Sequence, residues 1–230
     1  ALLGGNTRTI YEIGPTQKYD GAKAYKNMGG SPWATSNAYA NVMGIVKVSG
    51  SVTPETRSGN DKCVKMSTLY EHVKDIGIIT LDVMVSGSIF LGEMFEPIKS
   101  SKNPYSKMEM GIKFTKRPKY LQLDYKVYVP ENGKKIYSSG FGKKKELPGK
   151  DNAEVYIILQ RRWEDEKGNI HAARVGTGRE RYDTSTNGWI NNHRIEVHYG
   201  DITKKSFYKS WMGLINGDKC YYARNSKGKL

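Results

Sequence analysis

With 230 residues, 37% of them apolar, 16 Tyr, 4 Trp and 25 Gly, the chain has the aromatic and β-preferring side chains that a folded core needs. No run of about 18 apolar residues occurs, which excludes a helix that crosses a membrane. A formal charge of +14 would draw polyanions such as nucleic acid or acidic polysaccharide. The charge is dispersed in short clusters, Lys134-Lys135, Lys143 to Lys145, Arg161-Arg162 and Lys204-Lys205, each beside an expected turn or strand end, so solvated loops are favoured over a basic groove.

In chain order, residues 1–21 read as a linker or N-terminal extension, with only Ile10-Tyr11-Glu12-Ile13 resembling a strand. The opening Ala1-Leu2-Leu3-Gly4-Gly5 has the look of a processed or trimmed start, as if a secretion leader had been removed. One domain is expected from about 22 to 230. Ser31 to Asn37 places Trp33 and Asn37 in a loop, Val42 to Val48 is a candidate strand, and Val52 to Asn60 is turn-rich. From Cys63 two periods compete: Met66, Leu69, Val73 and Ile76 fit a helix, while Lys62 to Thr68 fits a strand. A strand followed by a turn or short helix is preferred.

Period-2 alternation then dominates. Ile79, Leu81, Val83 and Val85 form one set, Met108, Met110, Ile112 and Phe114 a second, and Leu121, Leu123, Tyr125, Val127 and Val129 a third. Pro118 makes Thr115 to Lys119 a connector, and Pro130 to Gly133 is a turn. Val155, Ile157 and Leu159 mark a strand ending at Arg161-Arg162-Trp163, and Glu164 to Asn169 closes a hairpin because Gly168 and Asn169 tolerate left-handed backbone. A last strand sets Ile195, Val197 and Tyr199 on one face and Arg194, Glu196 and His198 on the other. Seven to ten strands with little helix predict an all-β antiparallel sandwich or barrel.

Pro32-Trp33-Ala34-Thr35-Ser36-Asn37, Lys65-Met66-Ser67-Thr68, Gly87 to Gly92, Gly111 to Pro118, and Asp124-Tyr125-Lys126 follow one another in an order that resembles the putative carbohydrate metabolism domain (PCMD) family. The resemblance covers roughly residues 25 to 200. Ile112-Lys113 departs from the residue-Pro pair that family sequences carry before Phe114, and Ser206 to Leu230 lacks the family's closing segments. The resemblance implies a jelly-roll β-sandwich like that of carbohydrate-binding modules, an extracytoplasmic location at the surface of, or secreted by, gut bacteria that use polysaccharides, and a carbohydrate partner.

Sugar recognition needs a flat aromatic face for the C–H surface of a pyranose and nearby amides or charges for its hydroxyls. Three loops offer this: Trp33 with Asn37, Trp163 with Arg161, and Trp189 with Asn191. A glycosidase would need two facing carboxylates roughly 5–9.5 Å apart. Glu109, Asp124, Glu154 and Glu196 on polar strand faces, and Glu93 and Glu96 in a loop, are candidates, but they read better as exposed partners for the many lysines, so a non-catalytic module is favoured over a glycoside hydrolase. Glu164-Asp165-Glu166 offers oxygen donors for a structural calcium, a solvated hairpin tip being the competing reading, and no other cofactor is called for. His72, His171, His193 and His198 form no H-x-H or H-x-x-x-H pair. Cys63 and Cys220 either pair or remain two free thiols. The alternative function is a polyanion or nucleic-acid binder that uses the surplus charge and stacking aromatics, with nucleic acid the less favoured partner.

Overall fold

Alternating apolar positions pair as antiparallel strands in the computed structural model, which describes residues 17–19, 22–24, 32–37, 39–42, 45–76, 79–94, 108–137, 144–212 and 221–224. The described residues contain no α-helix, only a 3-10 turn at Ser210–Met212, and the architecture is all-β. The chain falls into two compact units, residues 1–115 with 136–145, and residues 116–135 with 146–230.

In the first unit, β1 (Gln17–Tyr19) pairs with β2 (Ala22–Ala24), β4 (Tyr39–Val42) with β5 (Ile45–Val48), β6 (Val52–Ser58) with β7 (Asp61–Met66), and β8 (Thr68–Ile76) with β9 (Ile79–Ser86). A three-stranded sheet places β10 (Ile89–Met94) between β3 (Trp33–Thr35) and β11 (Met108–Met110).

Several expectations change here. Val52 to Ser58 is a strand rather than a turn-rich stretch, and its turn is confined to Gly59-Asn60, where Gly59 takes φ 51°. Pro54 is tolerated because a two-stranded ribbon offers an edge that needs no N–H. The helical spacing from Met66 to Ile76 is overridden by pairing with β9, Leu69 opposite Val85 and Val73 opposite Leu81. Val42 to Val48 belongs to two strands instead of one. Strand pairing after Met108 stops at Met110, because Gly111 turns to φ 103° and donates its N–H to the Leu91 carbonyl at 2.6 Å. The Ile10 to Ile13 strand lies outside the described residues.

Polar groups stitch the first unit's centre. The Asn37 side chain mimics a strand partner: its Nδ2 donates to the Val52 carbonyl at 2.7 Å and its Oδ1 accepts the Val52 N–H at 2.9 Å. Ser36 donates its N–H to the Ser88 carbonyl at 2.8 Å, and its hydroxyl oxygen accepts the Ser88 N–H at 2.8 Å and meets the Ser51 hydroxyl at 3.0 Å. Gly87 is required here, since a Cβ would sit 2.5 Å from the Ser51 carbonyl oxygen and 2.6 Å from the Ser67 nitrogen.

In the second unit, β12 (Tyr120–Tyr125) pairs with β17 (Ile190–Glu196). The long β15 (Ala153–Glu164) pairs with β16 (Asn169–Tyr182), whose other edge takes β18 (His198–Tyr199) and β19 (Tyr221–Arg224). β13 (Lys134–Tyr137) and β14 (Lys145–Lys150) pair with each other, and the division between the units falls within them.

The third alternating set runs as strand only to Tyr125. Beyond it hydroxyls replace the ladder, Thr186 Oγ1 accepting the Val127 N–H at 3.0 Å and Ser185 Oγ the Val129 N–H at 2.9 Å. Gly176 and Gly178 let β17 and β18 press against β16: a Cβ on Gly178 would lie 2.7 Å from the Glu196 carbonyl oxygen, and one on Gly176 3.2 Å from Val197 and Tyr199. Ile195 and Val197 are buried at that approach, and Ile202, Ala172 and Val129 are the unit's other buried apolar side chains among the described residues.

Candidate carbohydrate-binding surface

The hairpin of β15 and β16 is fixed by its turn. Asp165 accepts the Gly168 N–H on its carbonyl at 2.9 Å and the Lys167 N–H on Oδ1 at 3.0 Å, and Gly168 supplies φ 76°. This is the self-bonding turn chemistry for which Asp and Gly are suited. The register that follows sets Trp163 directly opposite His171 and Arg161 opposite Ala173. Alternation puts Arg161, Trp163, His171 and Ala173 on one face.

That face carries a built aromatic platform. The Trp163 and His171 rings stack with centroids 5.2 Å apart and planes 12° apart, and the Arg161 guanidinium carbon lies 5.1 Å from the Trp163 centroid. His171 Nε2 is held by Asp165 Oδ2 at 2.8 Å, so the turn residue orients the histidine and the histidine orients the tryptophan. Trp163 nevertheless remains 39% exposed. A large exposed ring with fixed orientation loses little entropy on binding, which favours it as a contact surface.

The other predicted sites differ. Trp33 is half-buried in β3 opposite Leu91, and the buried Asn37 spends both ends of its amide on Val52, so the two do not form a shared sugar-facing pair. Trp189 is half-buried just before β17, with Asn191 exposed on that strand. Next to it Asn192 adopts φ 53° and donates its N–H to Asp124 Oδ1 at 2.6 Å.

The predicted carboxylates are distributed rather than paired. Glu154 is shared by Arg179 and Arg181, with Nε of each within 2.6 Å, and both guanidiniums also lie over Trp211, at 5.9 and 4.7 Å. Glu196 lies 3.9 Å from His198. Glu93 stands exposed in β10, not in a loop, because Gly92 to Met94 pair with Met108 to Met110. Glu109 is in β11, and Glu96 lies outside the described residues.

Among the described residues no group of three or more His, Cys, Asp or Glu is arranged to hold a metal ion. Asp165, one of three proposed calcium donors, already bonds the Lys167 N–H and His171, while Glu164 and Glu166 are exposed. Cys63 is a free thiol, its pKa raised by burial and then by Glu55 and Asp61, and Cys220 lies outside the described residues.

A second histidine cluster was not legible in the linear sequence. Glu180 Oε2 accepts the Tyr182 hydroxyl at 2.9 Å and meets His193 Nε2 at 2.7 Å, and Tyr125 stacks on Tyr182 at 4.6 Å. Burial, followed by the Glu180 bond, pushes the Tyr182 hydroxyl pKa far up. The role of His171 could have been found: once the turn at Asp165 to Gly168 is accepted, counting outward puts it across from Trp163.

A family model described as a putative carbohydrate metabolism domain matches residues 10–211. The chain belongs to this PCMD family. The match runs through residues of both compact units and ends at Trp211, so it includes the start of the Ser206 to Leu230 stretch expected to depart from the family. No curated protein and no solved structure matches the chain.

Proposed function

We propose that this PCMD-family chain is an exported, non-catalytic glycan-binding module that seats a sugar ring on Trp163, with Arg161 beside it for the hydroxyls. The observation that carries the reading is the Trp163 platform: an exposed indole whose angle is fixed by His171 and Asp165. Sugar rings present C–H faces to aromatic rings, and a preset ring avoids the cost of ordering on binding. The family's carbohydrate description supports the same partner. The dispersed carboxylates, with Glu154 held between two arginines, support binding over hydrolysis. Residues 22–230 acting as one module of jelly-roll sandwich type, outside the cytoplasm, complete the proposal, supported by a family match that runs through both units.

A glycan array read beside a salt series of DNA binding tests this. Retention of neutral glycans that is insensitive to salt is expected. DNA affinity that falls steeply with salt, without glycan retention, would replace the sugar reading with a polyanion one.

A further inference from the structure

A separate cavity lies among Thr177 to Glu180 of β16, the chain from Arg194 to His198 where β17 gives way to β18, and residues of the segment from Ile202 to Met212. It encloses about 270 Å³ and is lined by Thr177, Arg179, Arg194, Glu196, His198 and Phe207, with Ile202 and Met212 as apolar floor. Glu180 also borders it, with its carboxylate occupied by Tyr182 and His193. We infer that this cavity is a second saccharide subsite, selective for a carboxylated unit such as a uronic acid.

Three observations carry this. Thr177 is 2% exposed, and its hydroxyl has no hydrogen-bond partner among the described residues. A buried hydroxyl left unpaired costs free energy unless a ligand or water completes it. The volume far exceeds the roughly 30 Å³ of one water and falls just below the range of about 300–1,000 Å³ that suits drug-sized ligands, so it matches a single sugar unit.

One lining cation is placed to serve an anion. Arg179 is engaged by Glu154, whereas Arg194 donates its Nε–H to the neutral Gln122 Oε1 at 3.0 Å. Glu196 is the opposing carboxylate, 3.9 Å from His198. An arginine fork can grip a carboxylate with two parallel bonds, which a neutral sugar cannot reproduce. His198 stacked on Phe207 at 4.1 Å supplies a flat wall.

The inference rests on the glycan-binding reading and adds the class of sugar. Its test is calorimetric titration of the full chain with a uronic-acid oligosaccharide, its carboxyl-reduced counterpart and inorganic phosphate, repeated with Thr177→Val and Arg194→Gln. The acidic oligosaccharide should bind at least about 10-fold more tightly than the reduced one. Each variant should lose about 10-fold of that affinity, while Thr177→Val keeps or raises the melting temperature because its hydroxyl bonds nothing among the described residues. Equal binding of the reduced sugar, or acidic binding untouched by both variants, overturns the subsite. Phosphate competing at the same site with the same dependence on Arg194 and Thr177 would make it a plain anion site and overturn the sugar assignment. Neutral glycans retained through Trp163 without any preference for acid would sink this inference alone, whereas no saccharide binding of any kind would sink the glycan reading beneath it.

Discussion

Replacing Asn37 by Ala removes two hydrogen bonds, of 2.7 and 2.9 Å, from a residue that is 2% exposed. The Val52 N–H and C=O are thereby left without their side-chain partners in a buried setting, since Val52 itself is fully buried. Each orphaned group costs about 1–3 kcal/mol, so the variant should lose about 2–6 kcal/mol of stability. For a chain of this size that lowers the melting temperature by on the order of 10 °C. Asn37→Asp keeps the acceptor for the Val52 N–H but turns a carboxylate oxygen toward the Val52 carbonyl, so it should also destabilise. Thermal and urea unfolding followed by circular dichroism measure both. Below the transition, glycan affinity should match that of the parent. An Asn37→Ala protein as stable as the parent to within about 0.5 kcal/mol, but unable to bind glycan, would refute the structural role and restore Asn37 as a ligand contact.

Other outcomes follow from the same geometry. Gly178→Ala should destabilise the second unit by about 1–3 kcal/mol, because its methyl meets the Glu196 carbonyl oxygen at 2.7 Å and β17 must shift, and unfolding midpoints report it. Asp165→Ala should leave secondary structure intact but weaken glycan binding by roughly 3- to 10-fold, since His171 loses the partner that sets the Trp163 angle, and titration calorimetry reads the change. Burial raises the Cys63 pKa above its ordinary value of 9.0, so the folded state disfavours the thiolate. In a Cys220→Ser background, iodoacetamide should therefore alkylate the native chain more slowly at pH 8 than the chain in denaturant. The stability gained from holding Cys63 neutral is present below pH 9.0 and lost as pH rises through the folded pKa.

Much of the second unit was legible in the sequence because its strands alternate cleanly and its turns carry strong residues. The hairpin tip from Glu164 to Asn169, the turn after Pro130 and the inward set Ile195 and Val197 all occur as the residues dictate. Failures cluster where pairing partners decide. The helical spacing from Met66 to Ile76 is real, but β9 offers Val83, Val85 and Leu81 across the ladder, and non-local pairing wins over local period. Val52 to Ser58 looked like turn because Pro54 and Ser58 are weak strand residues, yet an edge position removes the objection to proline.

Asn37 was misleading for a physical reason. An amide beside a tryptophan is equally suited to a sugar hydroxyl and to a neighbouring backbone, and only the fold brings Val52 to it across 15 residues. The cavity beside Thr177 was half visible, since Arg194, Glu196 and His198 were read as one polar face. Its other wall, Phe207 and Met212, comes from a later segment whose approach to β16 the linear sequence does not show.

The most direct measurement compares the affinity of one soluble oligosaccharide, chosen from array hits, for the parent chain and for Trp163→Ala, Trp33→Ala and Trp189→Ala. Trp163→Ala should cost at least about 2 kcal/mol, roughly 30-fold, with folding unchanged, while the half-buried Trp33 and Trp189 should act on stability before affinity. A Trp163→Ala chain that binds as tightly as the parent would contradict the proposed sugar platform.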